Sequence, residues 1–254
     1  METPCEPALP LPTPSEQPSQ TDGDYWSESR RPWVSLLFLT PLLVFYEGGV
    51  LLETSASARN GADLWLRTLL DQLGFGHYFL LPVLLVAILL GWHYATGESW
   101  RVAPSTLFGM AVECTLLSLA LWILLQWQGY LWQLPGESQR SFWPLWLVRT
   151  ISYLGAGLYE ELLFRLILLP LAFWGFRLSG FSPCGSFLAA ALATSGLFAL
   201  AHHVGPAGEP WNPFAFSFRL TAGLFFCALF WRRGFGVAAG AHAGYDILVG
   251  VLAA

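Results

Sequence analysis

Residues 147–169 read LVRTISYLGAGLYEELLFRLILL, and this stretch decides the fold. It is long and apolar enough to cross a bilayer as a helix, since about 20 such residues span the hydrocarbon core. Yet Glu160, Glu161 and Arg165 stand near its centre. Its twelve Leu, Ile, Val and Phe side chains favour insertion by roughly 4–7 kcal/mol, while the three ionisable groups oppose it by roughly 8–10 kcal/mol. Alone, such a helix inserts poorly. It needs neighbours that supply polar partners, so the sequence asks for a bundle.

The rest of the chain has the composition of one. Its 254 residues are 55% hydrophobic and only 11% charged, with 13 Trp, 19 Phe and a mean hydropathy of +0.52. A soluble globular domain carries about 25% charged residues, which excludes an ordinary soluble enzyme. Alternating ten-residue strands are absent, which argues against an outer-membrane barrel. The expectation is an all-α, polytopic transmembrane helical bundle of about seven or eight membrane helices. Apolar spans fall at 33–52, 78–95, 105–127, 147–169, 185–204, 213–231 and 234–253. Trp33, Trp92, Trp127, Trp132 and Trp231 cluster at their ends as interfacial anchors do. Between the first two spans, Leu66, Leu69, Leu70 and Leu73 recur at helical spacing beside Asp63, Arg67 and Asp71, the pattern of an interfacial amphipathic helix.

Residues 1–31 are different. Pro4, Pro7, Pro10, Pro12, Pro14 and Pro18 stand among Ser, Glu and Gln, so a disordered acidic tail is expected there, with a membrane domain over 32–254. The segment lacks the basic region and short apolar core of a signal peptide. Six acids against Arg30 and Arg31 place most of the net charge of −5 in this tail. No basic face remains to bind nucleic acid. With the N-terminus inside, six Arg fall on the inner side and four on the outer, which favours that orientation in a multi-pass protein, expected in a bacterial cytoplasmic membrane. Cys5, Cys114, Cys184 and Cys227 write neither a disulfide framework nor a CxxC zinc site.

Ionisable residues inside spans count by default as site residues. Glu161 and Arg165 are spaced i, i+4 and share a helix face, so they form a pair that keeps Glu161 charged. Glu160 points about 100° away. It shares no face with that Arg, which leaves it poised as a general base. Phe198 and His202 are also i, i+4, and so are His242 and Asp246. In the second pair the carboxylate orients the imidazole, or both groups donate to one substrate oxygen. Two His and a carboxylate from three helices can activate a water, directly or through a metal. Phe198 itself reads as core packing. Glu47, Glu113 and Arg219 are expected to pair or line a cavity, and Gly155, Gly157, Gly240 and Gly244 to mark close helix contacts.

Taken in order, Glu160-Glu161-x-x-x-Arg165, Phe198-x-x-x-His202 and His242-x-x-x-Asp246 on separate apolar spans resemble the CAAX prenyl protease and bacteriocin-processing (CPBP, or Abi) family of intramembrane proteases. The flanks Gly157-Leu158-Tyr159 and Leu163-Phe164 are similar too, and the resemblance covers roughly residues 145–250. It implies that Glu160 activates the hydrolytic water with help from His202. His242 and Asp246 would stabilise the oxyanion, and Glu161 and Arg165 would hold the first motif in shape. Eukaryotic prenyl proteases of the family carry Asn where Asp246 stands. An ionised Asp cannot donate a hydrogen bond, so Asp246 would act protonated or by orienting His242.

Other membrane-protease layouts fail: HExxH is absent, no GxSG accompanies a membrane His, and Tyr245-Asp246 lacks a GxGD partner. No cofactor is expected. The alternative is a zinc ion held by Glu160, His202 and His242. The implied partners are membrane lipid and a peptide or protein substrate, lipidated or a leader peptide. The rival readings are a non-catalytic binding, immunity or scaffold protein, and a proton-coupled transporter. One expectation strains the picture. From the span ends, Glu160 and His242 sit ~14 and ~12 Å above the inner boundary and His202 ~26 Å. A shared water instead requires their polar atoms to lie within about 4–7 Å of one another.

Overall fold

The computed structural model describes residues 24–52, 61–75, 79–131, 145–204 and 208–252, and among them every regular element is helical. In chain order these are α1 Tyr25–Glu28, α2 Pro32–Leu52, α3 Gly61–Gln72, α4 Leu80–Thr96, α5 Pro104–Leu131, α6 Leu145–Gly155, α7 Leu169–Leu178, α8 Pro183–Ala201, α9 Pro213–Arg233 and α10 Phe235–Ile247. Wide π-helical turns over Ala156–Glu160 and Leu162–Leu168 join α6 to α7, and another over Leu248–Leu252 follows α10.

Four helices, α2, α5, α8 and α9, are long and apolar enough to cross a membrane by length and composition, and α4 is apolar but shorter. Seven or eight spans were expected. The difference lies in α4 and in the two segments that carry the acidic motifs, where π turns interrupt the α-helical run.

The central element is α10. From Phe235 to Ala243 it is buried throughout, because its Gly and Ala residues let neighbouring backbones approach closely. At Gly240 a methyl group would come within 2.8 Å of Cys114 Sγ, and at Gly244 within 2.6 Å of Ser118 Oγ, so α5 lies directly against it. Ser118 Oγ also donates to the Ala241 carbonyl at 2.9 Å.

Two sequence expectations are corrected. The expected disordered tail reached residue 31, but Asp24–Arg31 is folded onto the bundle. Glu28 accepts from Ala103 N at 2.8 Å and Thr106 Oγ1 at 2.7 Å, so it caps the start of α5. Tyr25 donates to Glu113 at 2.5 Å, and Arg233 reaches the same carboxylate at 2.6 and 2.7 Å while lying over the Trp26 ring. Burial and the Glu113 carboxylate together push the Tyr25 phenol above its usual range. Residues 1–23 of that tail lie outside the described residues.

The second correction concerns the fourth span. It does not end at Leu169 but runs on as helix to Leu178. Pro170 lacks the N–H that an α-helix needs, and the π turn before it already breaks the i→i−4 ladder, so the chain passes through without ending. This removes the mismatch in height between Glu160 and His202. Glu160 lies ~27 Å from Leu178 and His202 ~28 Å from Pro183, which brings the two to one level of adjacent antiparallel helices.

Candidate active site

Gly157 begins the construction. A methyl group there would fall 2.6 Å from both Cβ and N of Ala243 and 2.8 Å from the Ala239 carbonyl. Only glycine lets α10 approach this closely, and the approach carries His242 onto the two acids that follow. His242 Nδ1 lies 2.7 Å from Glu161 Oε1, and that same oxygen lies 3.0 Å from Arg165 Nη1. Glu161 is fully buried and Arg165 is 1% exposed. The pair read from the i, i+4 spacing is therefore present, with His242 as a third member. Arg165 also donates to the Gly223 carbonyl of α9 at 3.3 Å. Its guanidinium lies 4.6 Å from the Phe198 ring centroid and 5.5 Å from that of Phe226, so aromatic faces supply what solvent does not.

The carboxylate nearest His242 is thus Glu161, not Asp246. Asp246 Oδ2 lies 3.6 Å from the other ring nitrogen, Nε2, and Glu160 Oε2 lies 3.8 Å from it. Phe226 stacks on the imidazole at 4.5 Å with 15° between planes, which fixes the ring orientation. His202 caps the end of α8, and its Nδ1 sits 2.9 Å from the Phe198 carbonyl. A carbonyl only accepts, so Nδ1 carries a proton, and in the neutral ring Nε2 is then the acceptor. That nitrogen lies 4.0 Å from Glu160 Oε2, which has no hydrogen-bond partner among the described residues. Phe198 packs as expected, and the i, i+4 motif has a physical reason: its carbonyl sets the His202 tautomer.

Glu160 and His202 face a cleft of about 190 Å³, lined also by Ala62, Leu64 and Trp65 of α3 and by Gly208 and Glu209. The structure thus brings Glu160, Glu161, Arg165, His202, His242 and Asp246 into one cluster beside an opening.

Residues 141–248 match the family model of Rce1-like type II CAAX prenyl endopeptidases. That is the family type which the three motifs resemble, and the match spans all of them. No curated protein and no solved structure matches the chain. The Rce1-like match, with four membrane-length helices, supports an integral membrane protein and an intramembrane endopeptidase acting on a peptide or protein.

The Rce1-like region does not contain everything that shapes the cleft. Helix α3, expected as an interfacial amphipathic helix, buries Asp63 fully together with Leu66, while Leu64, Trp65 and Leu69 are exposed. Arg67 pairs with Asp63 at 2.5 Å and with Glu47 of α2 at 3.1 Å, and Tyr46 donates to Asp63 at 2.8 Å. Tyr159, the residue before Glu160, donates to Glu47. This second polar cluster fastens α3 and α2 to the wide turn that carries the acids. Sequence reading placed Glu47 in a span and Arg67 on an interfacial helix; the Glu47-to-Arg67 spacing of one loop carried no periodicity to join them.

For a zinc ion the donor types are suitable, but the spacing is not. Among the described residues no group of three His, Cys, Asp or Glu is placed to hold a metal. His242 gives one nitrogen to Glu161, and its other nitrogen is shared between two acids.

Proposed function

We propose that the protein is an intramembrane endopeptidase in which Glu160 and His202 hold and activate a water. One observation carries the reading. Glu160 Oε2 and His202 Nε2 are two acceptors, 4.0 Å apart, at the cleft. A water that gives one hydrogen to each of two acceptors separates them by about 4.4 Å at ordinary hydrogen-bond lengths. Such a water is clamped by both hydrogens and leaves its lone pairs for a substrate carbonyl.

In the reaction, the water oxygen bonds to the peptide carbonyl carbon and its proton passes to Glu160. Negative charge collects on the carbonyl oxygen. His242, carrying a proton on Nε2, donates to that oxyanion, with Asp246 beside the same nitrogen. The C–N bond then breaks, and Glu160 returns its proton to the leaving amine. Glu161, paired with Arg165, holds His242 by Nδ1 throughout. This reading uses no metal. The substrate is a peptide, lipidated or a leader sequence, presented beside the bilayer. The CPBP-like catalytic core occupies about residues 145–250 of a membrane domain over 32–254. The α4, α6–α7 and α10 segments complete seven spans of a bacterial cytoplasmic membrane protein with its N-terminus inside.

Purified protein in detergent, given a panel of quenched fluorescent peptides, tests this. Glu160→Gln and His202→Ala are expected to lower kcat by about 10²–10⁴-fold, and a chelator to leave the rate unchanged. Variants that cleave as fast as wild type would end the assignment. A wild type that binds peptides but cleaves none favours the binding reading.

A further inference from the structure

Arg219 belongs to no motif of the site and does not itself line the cleft, but it holds Glu209, which does. It lies on α9 one turn before Gly223, whose carbonyl accepts from Arg165. Helices α8 and α9 run antiparallel, with Gly223 against Ser195, where a methyl group would meet Ser195 Cβ at 2.7 Å. One turn further along, Arg219 therefore lies beside the last turn of α8, which ends in His202. Its charge acts on both Glu160 and His202.

Its partnership is incomplete. Arg219 Nη2 donates to Glu209 Oε1 at 2.7 Å, while Nη1 is buried with no partner among the described residues. A guanidinium offers a fork of donors suited to a carboxylate gripped by two oxygens, and here one oxygen takes one donor. Glu209 is built differently from a structural counter-ion. Its backbone is pinned, N to the His202 carbonyl at 2.9 Å and O to His203 Nδ1 at 3.1 Å. Its side chain is 55% exposed and lies in the cleft wall. The carboxylate can swing into water without moving the chain.

We propose that Arg219 is the specificity-determining residue of the cleft, binding a carboxylate of the peptide, with Glu209 as the internal stand-in that the peptide displaces. This rests on the cleft being the peptide site. The electrostatics support the placement: Glu160, Glu161 and Asp246 repel an acidic group near the reacting atoms, Arg165 is committed to Glu161, and Arg219 keeps a buried nitrogen without a partner among the described residues. The carboxylate comes from a chain terminus or from an Asp or Glu side chain. Exchange of one carboxylate for another keeps the local charge balanced, so the substrate brings no unpaired ion into the site.

Binding to the Glu160→Gln protein tests this apart from hydrolysis. The probes are three dansyl octapeptides of Ala, Val, Leu and Ser: one with a free C-terminal carboxylate, one amidated, and one amidated with an internal Asp. At least one carboxylate peptide is expected to bind about tenfold tighter than the plain amide, and which one identifies the source. Adding Arg219→Gln should abolish that difference while leaving amide binding in place, and Arg219→Lys should restore part of it. Adding Glu209→Gln should tighten the carboxylate peptide alone, a gain that misfolding cannot mimic. Equal affinity for all three peptides, no binding of any, or discrimination that survives Arg219→Gln would overturn the proposal. Discrimination without hydrolysis by the wild type would leave Arg219 standing and remove the catalytic reading.

Discussion

At the scale of the residue, Asp246 is the position where chemistry and sequence pull apart. Its Oδ2 lies 3.6 Å from His242 Nε2, the nitrogen that would meet an oxyanion. If Asp246 acts by orienting His242, an amide in its place keeps the shape and adds a donor. Asp246→Asn is therefore expected to keep kcat/KM within about tenfold of wild type, and Asp246→Ala to lose about 10²-fold. Steady-state kinetics on the best peptide of the panel would show it; equal loss in both variants would assign Asp246 a role that needs its charge. The pairing of Glu161 with Arg165 was readable because residues four apart share a helix face. The bond from His242 to Glu161 was not, since 81 residues separate them and no periodicity links two helices.

At the scale of the element, the decisive contact is the wide turn at Gly157 against α10. Gly157→Ala places a methyl group onto Ala243 backbone, which cannot yield as a flexible side chain would. The expected result is a shift of α10 away from the acids, with loss of at least 10²-fold in rate, because a displacement of about 1 Å costs that much. A thermal melt alongside the assay separates this from global unfolding: the variant should remain folded at assay temperature. Glycine at that position was legible as a close helix contact. The π turns and the helix running past Pro170 were not, because proline reads as a stop unless the preceding ladder is already broken. The inward-facing ion pair of α3 was equally hidden. Asp63 and Arg67 at i, i+4 look the same in sequence whether they face water or a buried Glu47.

At the scale of the whole molecule, the all-helical membrane bundle was legible from hydropathy alone, whereas the clasp that closes it was not. Tyr25, Glu113 and Arg233 come from three distant parts of the chain and tie the segment before α2 to α5 and to the end of α9. Glu113→Gln leaves Arg233 with its charge unbalanced and should cost about 2 kcal/mol of stability. Unfolding in detergent, followed by scanning fluorimetry, is expected to show a lower midpoint with peptide hydrolysis intact at low temperature. One buried partner of Glu161, His242, is made long after it, and this bears on biogenesis. His242 follows Glu161 by about 80 residues, or roughly 4–16 s of ribosome travel at common elongation rates. During that interval the two acids have left the ribosome but the imidazole that receives them has not yet been made. The nascent protein therefore spends several seconds with a segment that lipid refuses, and the insertion machinery has to shelter it until His242 is made.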